Sequence, residues 1–134
     1  MVAHPIRMKF FHGWTRDLNP RNGIPAMSSK YAVRWTDTAE KDLEVILDFI
    51  AEESIDKALN ILESLRERAA NLYSMPERGR IVPELKEQGI FIYREIVFLP
   101  WRIVYKINDK IIYVLAVLDS RRNLEEILLD RFVY

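Results

Sequence analysis

The chain has 134 residues, of which 20 are basic, 20 are acidic and 49% are hydrophobic, and it contains no cysteine. These values are typical of one globular domain and exclude wholesale disorder, a disulfide framework, a thiol nucleophile and a cysteine zinc site. Because the two histidines, His4 and His12, lie near the N-terminus, a histidine-rich metal cluster or a Ser-His-Asp triad in the body of the chain is excluded too.

The charges are balanced in total but not along the chain. Residues 28–73 carry six basic and ten acidic side chains, whereas residues 74–122 carry nine basic and six acidic ones. This leaves two interpretations open: a cationic sheet face that attracts an acidic partner or a polyanion, or two solvated faces of opposite sign. The longest apolar run, residues 111–118, is too short to span a membrane. No apolar segment of signal-peptide length follows the basic N-terminus, so the sequence predicts a soluble cytoplasmic protein that does not bind membranes.

The first 29 residues differ in composition from the rest of the chain. They contain three of the six prolines, two of the four glycines and no sustained hydrophobic period. This composition is typical of a flexible arm or a leader-like extension. We therefore predict an N-terminal extension at residues 1–29 and a folded domain at residues 30–134.

The next elements are a short strand at residues 31–35 and two amphipathic helices. Asp37 and Glu40 form a capping-box-like start for the first helix, with Thr36 or Thr38 sharing the cap, and Ser54 can cap the second. Apolar residues recur at helical spacing along both segments. The joint at residues 52–56 is short, so the pattern predicts an antiparallel helical hairpin. Its core against a sheet is expected to include Leu43, Ile46, Leu62 and Leu65.

Three strands and a final helix complete the pattern. Residues 92–98, 101–107 and 111–118 alternate or run apolar, and residues 99–100 and 108–110 are short enough for hairpin turns. Pro76 and Gly79 end the helical hairpin, the stretch 80–89 is expected to be a loop, and Asn123 can cap a last helix. The order β-αα-βββ-α predicts an α+β domain, with a mainly antiparallel four-stranded sheet and the helical hairpin packed on one face. Trp101 and Tyr105 are expected in the core.

Four motifs carry a resemblance to a known family. They are Trp35-Thr36-Asp37-Thr38-Ala39-Glu40-Lys41-Asp42-Leu43, Pro76-Glu77-Arg78-Gly79-Arg80-Ile81-Val82-Pro83-Glu84-Leu85, the strand pair Tyr93-Arg94-Glu95-Ile96 and Trp101-Arg102-Ile103-Val104-Tyr105-Lys106-Ile107, and Val114-Leu115-Ala116-Val117-Leu118-Asp119-Ser120-Arg121-Arg122. Their residues and order resemble the RelE/ParE superfamily of toxins from type II toxin–antitoxin (plasmid-stabilisation) systems. The resemblance implies a cognate antitoxin partner in a toxin–antitoxin hetero-oligomer, and it implies neither a cofactor nor a metal.

The superfamily divides by target. The resemblance implies either a ParE-like toxin that binds DNA gyrase or a RelE-like, metal-independent endoribonuclease that cleaves mRNA on the ribosome. Asp119 stands where many members have histidine, and Ile96 stands where the prototype cleaver has lysine. These departures favour the ParE branch, because an arginine cluster without a proton shuttle suits binding better than catalysis. A second alternative is an inactive relative that acts only as a binding module.

Five arginines are the candidate site residues. A guanidinium group is planar and can donate two parallel hydrogen bonds to phosphate or carboxylate oxygens. The candidates for target binding are Arg80, Arg94, Arg102, Arg121 and Arg122. If the ribonuclease alternative holds, the resemblance assigns catalysis to Arg94, Arg102 and Arg121.

Purely structural roles remain open for the same side chains. Arg94 and Glu95 could form a cross-strand ion pair, and Arg102 could clamp the end of a helix. Glu84 and Glu95 could serve as bases in a ribonuclease, although carboxylates in such positions are more often structural.

Overall fold

The structure is a computed structural model that describes residues 31–133. The predicted extension at residues 1–29 lies outside the described residues. The strands are β1 (Ala32–Trp35), β2 (Arg80–Ile81), β3 (Tyr93–Phe98), β4 (Trp101–Asn108) and β5 (Ile111–Asp119). The helices are α1 (Asp37–Ala51), α2 (Ile55–Ala70), α3 (Pro83–Lys86) and α4 (Leu124–Phe132), and a 3₁₀ turn at Asn71–Tyr73 follows α2.

The strands form one five-stranded sheet in the order β1-β5-β4-β3-β2. β1 runs parallel to β5, and the other pairs are antiparallel. The predicted α+β class and the mainly antiparallel sheet are confirmed, and all four predicted strands are present. The fifth strand, β2, lies in the stretch 80–89 that was expected to be a loop, and α3 follows it directly. Both elements are too short to show a hydrophobic period, which explains why the sequence pattern did not reveal them.

The helical hairpin forms as predicted, with both of its helices capped by hydroxyl side chains. Thr36 caps α1, whereas Asp37, the predicted start of the capping box, is the first helical residue. Thr36 Oγ1 accepts a hydrogen bond from the Ala39 N–H and donates one to the Val114 carbonyl oxygen at 3.0 Å. Ser54 Oγ accepts from the Lys57 N–H. Each oxygen satisfies an amide at a helix start, where intrahelical partners are missing. The Thr36 bonds also fix the start of α1 onto β5.

The two faces of the sheet carry separate apolar cores. On the hairpin face, which α1 and α2 cover, the core contains Leu43, Leu62, Leu65, Ile103, Tyr105, Ile112, Val114 and Val117 among others, with Ile46 partly buried against it. On the second face, which α3 and α4 cover, the core contains Val82, Leu85, Val104, Ala116, Leu118, Leu124 and Leu128. Trp101 and Tyr105 are buried on the hairpin face, so the prediction that they are core residues is confirmed.

A bulge where β5 pairs with β4 changes which positions of β5 face each core. The register shifts between Val104, which pairs with Ala116, and Tyr105, which pairs with Val114. The extra residue changes the alternation of β5, because side chains otherwise alternate strictly between faces. As a result, Val114 and Val117 both belong to the core of the hairpin face.

A carboxylate at the edge of the sheet links three elements. Asp42, on α1, accepts the Val117 N–H at 3.0 Å, beyond the point where β1 ends. It also accepts two hydrogen bonds from Arg131 of α4, at 2.8 and 2.9 Å. Asp42 therefore joins the hairpin, the free part of β5 and the last helix. Within residues 31–133, no helix is both long enough and apolar enough to cross a membrane.

Candidate functional site

Two side chains fasten the turn at residues 76–79 to the sheet. Tyr105 Oη donates a hydrogen bond to the Pro76 carbonyl oxygen at 2.7 Å and accepts one from the Gly79 N–H at 3.0 Å. Arg94 Nη1 donates to the Gly79 carbonyl oxygen at 2.7 Å. A Cβ atom at Gly79 would lie 2.5 Å from the Glu95 carbonyl oxygen, so only glycine permits this close approach. Burial raises the pKa of Tyr105, which keeps its hydroxyl protonated as a donor.

Four charged side chains form an ion-pair ladder on the second face: Arg80, Glu95, Arg102 and Glu84. Glu95 is buried, and its two oxygens accept the Nε–H groups of Arg80 and Arg102, each at 2.7 Å. Arg102 is also buried, and its Nη1 and Nη2 donate to the two oxygens of Glu84 at 3.0 and 2.7 Å. Because charges alternate along the ladder, each buried charge has an opposite neighbour, as burial of ions requires.

The structure does not bring Arg94 and Arg102 together. Arg94 pairs across the strands with Tyr105, which lies in the core of the hairpin face. Its neighbour Glu95 points to the other face, because successive strand residues alternate, and Glu95 binds Arg102 there. The two arginines are therefore on opposite faces of the sheet, and both guanidinium groups bind other parts of the chain.

Arg121 and Arg122 follow the end of β5. Arg121 lies exposed, with its Nε and Nη2 donating to the two carboxylate oxygens of Asp119 at 2.9 and 2.7 Å. These hydrogen bonds from Arg121 hold the pKa of Asp119 below its ordinary value. Asp119 is thus an anion at neutral pH, and Arg122 is exposed beside it.

The outer carboxylate of the ladder has a shifted pKa as well. Hydrogen bonds from Arg102 lower the pKa of Glu84 from its ordinary value of 4.5, and this effect outweighs the opposing effect of burial. Burial by itself would lower the pKa of Arg102, but its bonds to Glu84 and Glu95 raise it. At neutral pH Glu84 and Arg102 are therefore both charged.

The lowered pKa predicts how Glu84 affects stability in acid. Because protons bind Glu84 more readily in the unfolded chain, its contribution is complete above the ordinary pKa and is lost as the pH falls through the lowered one. We expect Glu84→Gln to lower the free energy of unfolding at about pH 7, and we expect this gap to the wild type to shrink as the pH falls below 4.5. Urea unfolding across this range measures the gap. Glu87→Gln, at an exposed carboxylate near the end of α3, is the control, and a Glu84→Gln gap that stays constant with pH would contradict the argument.

A cleft of about 300 Å³ lies between α2 and β3. Its lining consists of Ser64, Glu67, Arg68, Asn71, Arg78 and Ile96. Arg68 stacks over the Phe98 ring, 4.4 Å from its centroid. Beside the cleft, β2 pairs with β3 only at Arg94 and Glu95, and within the described residues no strand pairs with Val97 at this edge.

The sequence-based reasoning missed Arg68 and Arg78 as candidates. Ser64, Glu67, Arg68 and Asn71 follow the helical spacing i, i+3, i+4 and i+7, which places them on one side of α2. That spacing was a usable signal. Within residues 31–133, no cluster of three aspartate, glutamate, histidine or cysteine side chains could hold a metal ion.

Comparison with known proteins assigns this architecture to a family. A family model described as the ParE toxin of the type II toxin–antitoxin system parDE matches residues 33–124, which is more than half of the chain. The chain belongs to the ParE toxin family. The match begins at the second residue of β1, includes the other four strands, the hairpin and all five candidate arginines, and ends at the first residue of α4. The prediction of a ParE-branch toxin is thereby confirmed.

A solved structure shares the ParE toxin fold. The chromosomal ParDE TA system from P. aeruginosa contains a chain that is 21% identical, with a TM-score of 0.56, and the alignment covers 69% of this chain and 98% of that one. At this level of identity the likeness concerns the fold alone. Among curated proteins, no significant match to this ParE toxin is found.

Proposed function

We propose that this ParE toxin inhibits growth by binding DNA gyrase in the cytoplasm, and that a cognate antitoxin neutralises it in a hetero-oligomer. The observation that carries the proposal is the family match, which includes the helical hairpin and the sheet except for the first residue of β1.

The state of the ionisable groups supports binding rather than bond cleavage. A ribonuclease needs a group that gains and loses a proton near neutral pH. Hydrogen bonds from arginines lower the pKa of Glu84 and that of Asp119, which suits neither to donate a proton at neutral pH. The Tyr105 hydroxyl is engaged as both donor and acceptor. Because these three groups are poorly suited to proton transfer, they favour the gyrase-binding proposal over the ribonuclease alternative.

The exposure of the arginines divides them into two groups. Arg80, Arg121 and Arg122 are exposed, and we assign them to direct contact with the target. Arg94 is half-buried and Arg102 is buried, and both donate to groups of the chain itself, so we assign them to supporting that surface rather than to contacting the target.

The cleft between α2 and β3 is the proposed antitoxin site. Arg68 and Arg78 on its walls suit an acidic segment, and the open edge of β3 at Val97 offers backbone groups to an extended chain. Because two arginines supply the attraction, salt is expected to weaken antitoxin binding.

Two assays in parallel test the proposed target. Purified protein is added to gyrase with relaxed plasmid, and to a translating extract with a reporter mRNA. We expect loss of supercoiling or trapped cleaved DNA in the first assay and intact mRNA in the second. Codon-spaced cuts in the mRNA would instead establish the ribonuclease alternative. No effect in either assay, together with normal growth on induction, would establish an inactive relative.

The antitoxin is tested in the same system. Coexpression of the neighbouring reading frame should restore growth, and its purified product should restore supercoiling. Failure of every neighbouring gene product to do so would contradict the proposed partner.

A further inference from the structure

Arg80 differs from Arg102, the other arginine of the ladder, in how its guanidinium group is bound. Its side chain is 58% exposed, yet its Nε–H is bound to the fully buried carboxylate of Glu95. Among residues 31–133, no side chain or backbone group hydrogen-bonds to its two terminal nitrogens. Arg80 therefore has an anchored inner edge and an outer edge that faces solvent.

The Glu95 carboxylate that anchors Arg80 is bound at both of its oxygens. Glu95 is paired with Arg80 across β2 and β3, and its second oxygen accepts from Arg102 at 2.7 Å. Both terminal nitrogens of Arg102 are held in turn by Glu84. With both oxygens bound, the Glu95 carboxylate cannot rotate without breaking a charge-assisted bond. Because guanidinium is planar, fixing Nε also fixes the direction of the two terminal nitrogens.

We infer that Glu95, held by Arg102 and Glu84, is a positioning residue that presents the terminal nitrogens of Arg80 to a carboxylate of gyrase. The inference rests on the proposed function. An arginine that is already oriented loses less side-chain freedom on binding than a free one. Its two terminal N–H groups match the two oxygens of a carboxylate.

The surroundings favour a protein carboxylate over a DNA phosphate. The ladder contains two basic and two acidic side chains, so its net charge is zero, and Glu84 lies partly exposed near its end. Surfaces that bind nucleic acid through phosphates gather several unpaired cations instead.

A double-mutant cycle separates positioning from a merely structural role. The dissociation constant for purified gyrase tetramer without DNA is measured for the wild type, Arg80→Ala, Glu95→Gln and the double variant. We expect Arg80→Ala to weaken binding by roughly tenfold or more, and Glu95→Gln to weaken it several-fold. In the Arg80→Ala background, Glu95→Gln should have no further effect, because it acts through Arg80. Arg34→Gln removes an exposed arginine from β1, at the opposite edge of the sheet, and should leave binding unchanged.

If Glu95→Gln does not fold, the Arg80→Lys variant tests the inference in its place. Lysine retains the positive charge, but it has neither an Nε–H group that can bind Glu95 nor two terminal N–H groups that match a carboxylate. We therefore expect Arg80→Lys to lose most of the affinity that Arg80→Ala loses. Wild-type affinity of Arg80→Lys for gyrase would overturn the inference. So would an Arg80→Ala variant that binds normally, or a Glu95→Gln loss of affinity that is equal in the wild-type and Arg80→Ala backgrounds. A loss that occurs only with gyrase bound to DNA would assign Arg80 to a phosphate instead. Absence of gyrase binding by the wild type would overturn the proposed function itself, and this inference with it.

Discussion

Replacing Arg102 with alanine is expected to lower the free energy of unfolding by about 3–5 kcal/mol. The change removes the bond from Arg102 Nε to the buried Glu95 and both bonds to Glu84. Glu95 would keep only Arg80, whose side chain is largely exposed. A buried carboxylate that loses a partner keeps its desolvation penalty without the compensating attraction. Urea unfolding at neutral pH measures the loss.

Arg121→Ala is the matched control for this experiment. Arg121 also pairs with a carboxylate through its Nε and Nη2, but its side chain is 69% exposed. Water and salt screen an ion pair at such an exposed site, so the unfolding midpoint should hardly move. Equal effects of the two substitutions would show that burial does not govern the strength of these pairs.

Leu65→Ala is expected to lower the free energy of unfolding by about 2–5 kcal/mol. Leu65 is fully buried where α2 packs against the sheet. Truncation to alanine removes three buried carbon atoms and leaves a cavity that the surrounding β-sheet cannot readily close. The measurement is again equilibrium unfolding, with the slope against denaturant checked for a two-state transition.

Leu59→Ala makes the same chemical change on the same helix. Leu59 is 55% exposed, so its truncation should alter stability by less than about 0.5 kcal/mol. If both leucines gave the same small loss, the packing of α2 against the sheet would be contradicted.

The elements that the sequence predicted well are those whose signals are local. The spacing of Leu43, Leu62 and Leu65 and the hydroxyl caps at Thr36 and Ser54 depend on residues within a few positions of each other. Helix periodicity and capping therefore predicted the hairpin correctly. The order of motifs then led to the right family without any knowledge of contacts.

The candidate site depends on non-local register, which the sequence did not reveal. Alternation shows that Arg94 and Glu95 face opposite ways, but not which of them shares a face with Arg102. That relation follows from the pairing of Glu95 with Val104 and of Arg94 with Tyr105, which only the folded sheet fixes. The same limit hid β2, whose two residues become a strand only by pairing with β3.

The Asp42 carboxylate has a consequence for how copies of this protein meet one another. β1 ends at Trp35, opposite Val114, so the last part of β5 would display unpaired amides to its surroundings. Such bare strands recruit strands from other molecules and lead to aggregation. Asp42 occupies the Val117 N–H, and Arg131 brings a charged side chain to the same place. The end of β5 thus offers one amide fewer, and a charged side chain, to any strand of a second copy that approaches this edge.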